Sequence, residues 1–299
     1  MQHCRLGALT RTVLSAILIA AGAPAPAATL EHVGTFVWTD KAPSFGGFSG
    51  IEVSPDGQSF HAVSDRSFLY WGRFQRDPSG RIADMQIDGR AHLRDSHGVP
   101  LKPGYLGDSE GLAIAADGTI WVTFEGLDRI ISYDTPDSAA TTYPRPPDLP
   151  GMRINSGLEA LAIRDDGTIF AIPERSANEA RPFPVLTFRK DEWRKVGEIR
   201  RDPRWLAVGA DFGPDGWLYL LERDFKGILG FTARVRRFQI TDNGPQNEEI
   251  LLETRQMQYD NLEGIAVWQD DQGIRLTMIS DDNFLILQRT ELVEYRLRD

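Results

Sequence analysis

Five short apolar runs in this chain end in an acidic residue: Asp65, Glu125, Glu174, Glu222 and Asp281. Each follows an Asp-Gly turn, loosened before the last, as in AADGTIWVTFEG and QDDQGIRLTMISDDN. A second acidic set opens the run before the turn. Glu110, Glu159 and Glu263 align at one position, and Glu52 and Asp211 fall three residues later in the other two copies. If the paired runs are antiparallel neighbours, all these carboxylates crowd one rim. Like charges packed so closely raise one another's pKa unless something neutralises them. One candidate is a hard divalent cation such as Ca²⁺, which takes about 6–8 oxygen ligands. The other is internal arginine.

Arg66, Arg175 and Arg223 each directly follow a strand-end acid. Their forked donors suit either a brace on that acid or a grip on a ligand's phosphate or carboxylate. Arg153 and Asn155, in RINSGLEAL, lead into the third copy and add to the rim. The last copy ends in SDDN, where Asp281, Asp282 and Asn283 concentrate oxygen donors, or form an Asx turn. The expected metal ligands are therefore Glu52, Asp65, Glu110, Glu125, Glu159, Glu174, Asp211, Glu222, Glu263, Asp281, Asp282 and Asn283. Asp65, Glu159, Glu263 and Asp281 are the expected catalytic carboxylates. Arg66, Arg153, Asn155, Arg175 and Arg223 are expected to bind the substrate.

Other chemistries lack their residues. No G-x-S-x-G elbow occurs, and GFSG at 47–50 lacks the last glycine. His32, His61, His92 and His97 miss the rim position, there is no H-E-x-x-H, and His92 and His97 read as loop residues. Cys4 is the only cysteine, so no disulfide is possible within the chain. A formal net charge of −10 disfavours nucleic acid and anionic membranes as partners. An anionic small molecule is the expected ligand and a monomer the expected state.

The elements that must position these residues are strands. The copies are rich in Val, Ile, Phe, Trp and Tyr and bounded by turn formers, and Asp-Gly supplies the positive φ of a tight hairpin. They recur 49, 49 and 55 residues apart from Glu110 to Glu159, Val208 and Glu263, a period that suits propeller blades. Two further strands follow most pairs. The last copy runs out of chain one strand short, and LEHVGTFVWT (30–39) supplies it from the N-terminus. The expectation is an all-β propeller of four-stranded antiparallel blades, closed by the N-terminal strand. Five blades are favoured; a sixth would have to lie between Trp71 and Asp108. Ahead of this, Arg5, Arg11, the run VLSAILIAAGA and the A-x-A site at Ala25 and Ala27 read as a signal peptide over 1–27. The propeller then occupies 28–299, in the periplasm or secreted, without a stable membrane anchor.

The segments SGIE…SDRS, SEGLAI…DG, LEALAI…DG…PERS and NLEGIAV…SDDNF…QRTELVEYRL resemble the phytase-like family described by the esterase-like activity of phytase. The resemblance covers nearly the whole chain after the signal and is most specific over 261–290. It implies an exported β-propeller, and more distantly a likeness to calcium-dependent propeller phytases, whose rim carboxylates hold Ca²⁺. The expected function is a metal-dependent hydrolase of phosphate or carboxylic esters. The alternatives are a non-catalytic ligand-binding propeller and a lactonase-type propeller hydrolase.

Overall fold

The structure is a computed structural model that describes residues 28–147, 157–176, 178–227 and 230–298. The signal-peptide segment, with Cys4, and the candidates Arg153 and Asn155 lie outside the described residues.

The strands form five four-stranded antiparallel sheets. Blade one holds β2 (Phe48–Val53), β3 (Ser59–Ser64), β4 (Phe68–Arg76) and β5 (Ile82–His92). Blade two holds β6 (Ser109–Ile114), β7 (Ile120–Phe124), β8 (Arg129–Tyr133) and the short β9 (Thr141–Thr142). Blade three runs from β10 (Leu158–Ile163) through β11 (Ile169–Pro173) and β12 (Phe183–Arg189) to β13 (Glu192–Ile199). Blade four runs from β14 (Leu206–Phe212) through β15 (Trp217–Phe225) and β16 (Phe231–Thr241) to β17 (Gly244–Glu253). Blade five has β18 (Asn261–Asp270), β19 (Gly273–Asp281) and β20 (Thr290–Arg298), with β1 (Thr29–Trp38) as its outer strand.

No sixth blade occupies 71–108. That stretch is the long outer hairpin of blade one, then a loop pinned by the Arg94–Pro100 bridge. His92 is accordingly not a loop residue. It ends β5, with its ring stacked on Phe68 at 4.4 Å.

The hydrophobic core is five wedges, one between each pair of adjacent blades. The wedge that closes the ring packs Trp38 of β1 on Phe48 of blade one, with ring centroids 4.7 Å apart. An ionic clamp reinforces it. Arg76 of blade one makes two bonds to Glu294 of blade five, at 2.8 and 3.0 Å, and buried Arg275 adds a third at 2.7 Å.

The inner strands meet at a hub with almost no bore. Ile51, Leu112, Leu161, Ala210 and Ile265 line it, interleaved with Gly50, Gly111, Gly209 and Gly264. A Cβ on Gly111 or Gly209 would lie 2.5 Å from the carbonyl oxygen of Glu159 or Glu263 in the next blade. Glycine thus lets neighbouring inner strands approach closely enough for five blades to close without a hole.

Candidate functional site

Antiparallel pairing puts the start of each inner strand and the end of the next strand at one end of the ring, above the plugged hub. At this end, every inner strand carries a β-bulge. The register shifts between Phe48 and Gly50, Ser109 and Leu112, Leu158 and Ala160, Ala207 and Gly209, and Leu262 and Gly264. A bulge takes a residue off the ladder and re-aims its side chain. The residues so displaced include Glu110, Glu159 and Glu263, the second acidic set. The other two blades place Ser49 and Val208 there.

The strand-end ring differs from the sequence expectation in one blade. Asp65, Glu125 and Glu174 donate their backbone N–H to the carbonyls of Gly47, Asp108 and Gly157, and Asp281 pairs with Asn261. The equivalent pair in blade four is Leu206 with Arg223. Arg223 therefore holds the fifth ring position, and Glu222 sits one residue short of it. Glu222 is fully buried inside the blade. It accepts bonds from Arg234 at 2.8 Å and from Arg236 at 2.7 and 2.6 Å. Enclosed this way it is no metal ligand. The strand from turn to rim is as long here as in blades two and three, but its acid comes one residue earlier, and aligning acid on acid hid the slip.

Arg223 is the internal neutraliser. Its guanidinium pairs with Glu263, reaches Glu174 at 3.2 Å and donates to the Asn261 side-chain oxygen at 2.8 Å. The Asn261 amide in turn donates to Glu263 at 2.7 Å. Because Arg223 is mostly enclosed, its side chain 17% exposed, and committed to these partners, it is not an open grip for substrate. It still leaves most of the mouth uncompensated. Burial, then the charges of Glu263, Asp108 and Glu125, hold the Glu110 carboxyl well above the usual range. Burial, then Glu174 and Glu110, does the same to Glu159. Burial raises Glu263 against the pull of Arg223. Asp65 is pushed up to about 7 by burial, then by Asp108, Glu263 and Asp282, against Arg66. Asp281 is pushed up to about 8 by burial, then by Glu263, Asp65 and Asp282. These groups sense one another, so they share one mouth.

The tightest convergence of donors contains a residue that pattern alignment passed over. Carboxylate oxygens of Asp108, Glu110 and Glu125 lie within 4.8 Å of one another. Asp108 stands opposite Glu125 across the first pair of blade two, as Asn261 stands opposite Asp281. Both precede the second acidic set by two residues, in DSEG and NLEG. That common offset was the available signal.

Two expected ligands belong elsewhere. Glu52 and Asp211 lie three residues further along their strands, beyond the aliphatic plug, at the far end of the hub. There they brace the ring. Asp211 accepts the Val267 backbone N–H of blade five at 2.6 Å, and Glu52 is bonded to the Ile114 backbone of blade two. Burial pushes Asp211 up to about 7, and burial with the nearby Asp211 charge holds Glu52 well above the usual carboxylate range. Asp282 and Asn283 form a turn at the edge of the mouth rather than a donor cluster. Asp282 accepts the backbone N–H of Gly47 and of Phe284, each at 3.0 Å. The Asn283 amide donates to Gln288 at 3.0 Å. Arg175 braces Glu174 at 2.8 Å while remaining 63% exposed, and the Arg66 guanidinium lies over the Phe284 ring beside Asp65. Both stay at the mouth with donors to spare.

Residues 43–284 match the phytase-like family described by the esterase-like activity of phytase, and the chain belongs to that family. No curated protein matches it closely enough to count as a relative. Among solved structures it is similar to an exo-β-1,3-galactanase from Clostridium thermocellum, with 12% identity and a TM-score of 0.56, over 87% of this chain and 62% of that one. It is also similar to the catalytic domain of an α-L-arabinofuranosidase from Coprinopsis cinerea, with 11% identity and a TM-score of 0.55, over 90% and 97%. At these identities the likeness is one of fold.

Proposed function

From membership of the phytase-like family and the charge gathered above its hub, we propose that the protein is a divalent-metal-dependent hydrolase of phosphate or carboxylic esters. The observation that carries this is the convergence of Asp108, Glu110 and Glu125 on one point, inside a larger ring that Arg223 alone does not neutralise. The donor set fits a hard cation such as Ca²⁺, being all carboxylate oxygen. A second sign of fit is that Asp65 Oδ1 is buried and has no hydrogen-bond partner. Asp108, Glu110 and Glu125 would hold the ion, with Asp65, Glu159 and Glu263 completing the charged wall. When bound, such an ion supplies Lewis acidity and lowers the pKa of water.

The chain's own residues do the rest. Asp65 and Asp281 are poised near neutral pH, one about 7 and the other about 8, which suits carboxylates that take up a proton from water and return it to a leaving group. Arg66 and Arg175, at the mouth and not fully enclosed, orient an anionic group of the ester. Arg223 positions Glu174 and Glu263 rather than touching substrate. We place the protein in the periplasm or outside the cell, after removal of residues 1–27, acting as a monomer on a small anionic substrate.

Purified protein, stripped by chelator and reloaded with Ca²⁺, should turn over aryl phosphates or aryl esters only in the loaded form. Absence of turnover with any divalent metal, alongside a calcium-raised melting temperature, would favour the non-catalytic ligand-binding reading, in which Arg223 and the ion only brace the rim. A panel of lactones in the same assay separates the lactonase-type alternative.

A further inference from the structure

The two ends of the ring are chemically unlike. The far end carries the Asp-Gly turns, and apart from Val99, in the Asp95–Val99 turn beside the end of β8, none of its turns among the described residues bears a strongly exposed large hydrophobic side chain. The mouth end does, on connections from several blades. Leu106 lies between blades one and two, Phe225 at the end of β15, and Met257 between blades four and five, at 52%, 60% and 72% exposure. The sharpest feature is the β19–β20 loop, where Leu285, Ile286 and Leu287 are 58%, 100% and 90% exposed.

That loop is built rather than loose. The Leu285 N–H donates to the Asp282 carbonyl at 2.8 Å, and the Gln288 N–H to the Leu285 carbonyl at 2.9 Å. The Asn283–Gln288 side-chain bond clasps its base. Asn283 and Phe284 both take positive φ, 47° and 51°, and Phe284 folds inward against Arg66. Three successive aliphatic side chains are thus held outward beside the acidic mouth, a placement that costs solubility unless something apolar covers it.

We propose that the mouth end seats on a zwitterionic lipid surface, with Leu285, Ile286 and Leu287 as the inserted tip. The exposed tips stand on separate blades around the mouth, which suits an extended flat partner better than one small ligand. A second copy of this chain in the same seat would bring two acidic mouths face to face, and like charges so opposed repel. Anionic lipid meets the same repulsion. A choline or ethanolamine headgroup offers a cation to the mouth while the acyl layer receives the tip. Burial of a few aliphatic side chains gives weak, reversible attachment of the kind a single short anchor provides.

Vesicle flotation tests this with the purified protein. It should float with phosphatidylcholine vesicles at millimolar lipid. A variant carrying both Ile286→Ser and Leu287→Ser, both exposed and hence neutral in melting temperature, should partition at least tenfold less. Added phosphatidylglycerol at low salt, without divalent cation, should weaken binding. The proposal is overturned if the wild type stays with the buffer or if the serine variant floats equally well. It is also overturned if anionic lipid strengthens binding without divalent cation, or if sedimentation shows a dimer that the serine variant abolishes.

Discussion

Arg223 and Glu222 are neighbours in sequence with opposite roles, and substitutions should separate them. Glu222 is sealed between two guanidinium groups, whose nearest other carboxylate partners, Asp202 and Glu248, are more exposed. Glu222→Gln removes the fully buried charge that the two share and should cost about 3–5 kcal/mol of stability, read by urea unfolding, as breaking a buried ion pair does. Calcium affinity of the fraction that folds should not change. Arg223→Gln acts at the mouth instead. It leaves Glu263 without its cation and Glu174 with Arg175 alone. The metal-free protein should then unfold at a lower temperature at pH 8, and added Ca²⁺ should restore most of the difference. A calcium-insensitive loss would mean that Arg223 serves packing alone. The residue types in this pair were legible in the sequence; their places were not. Strand period two decides which side chain faces the mouth, and an acid set one residue closer to its turn glycine than in blades two and three falls on the inner side of the strand.

Among the elements, the inner strands are the most constrained. Their glycines face the backbone of the next blade, with Ala160 as the exception in blade three. Gly209→Ala would set a methyl against the Glu263 carbonyl and should lower stability by roughly 1–3 kcal/mol, the usual cost of overpacking. The reverse change, Ala160→Gly, relieves nothing and should cost only about 0.5–1 kcal/mol through added chain freedom. Equal losses in the two variants would contradict the close-approach account of the hub. The Asp-Gly turns, the strand period and the N-terminal strand of blade five could all be read from the chain, because local chemistry determines them. The bulges that aim Glu110, Glu159 and Glu263 could not, since a bulge is a mismatch between two strands and leaves no mark on either alone. The same is true of Glu52 and Asp211, whose acidity is visible but whose depth beyond the plug depends on the hub closing.

For the whole molecule, the mouth is a store of unfavourable charge with a definite pH signature. Asp65 and Asp281 titrate higher in the folded protein than the usual carboxylate value near 4, at about 7 and about 8. The folded state then binds more protons than the unfolded state between those values, so stability falls as pH rises. The stability these groups contribute is full below pH ~4 and is lost through about pH 8. Metal-free protein should therefore melt at a lower temperature at pH 8 than at pH 6, and Ca²⁺ should raise melting more at pH 8. Carboxylates already paired with cations stay ionised in both states over this range, so a melting temperature that does not fall would mean the mouth acids are already balanced.

Calorimetric titration of Ca²⁺ into the stripped protein at pH 7.5, in two buffers of different ionisation enthalpy, tests the central claim most directly. If the mouth holds the ion, binding is saturable and displaces protons from the raised carboxyls, so the observed heat depends on the buffer. A protein carrying both Glu110→Gln and Glu125→Gln, folded by its circular dichroism, then shows neither the binding nor the proton release. Heat that is absent in the wild type, or unchanged in this variant, would contradict a cation site at the mouth and the hydrolase built on it.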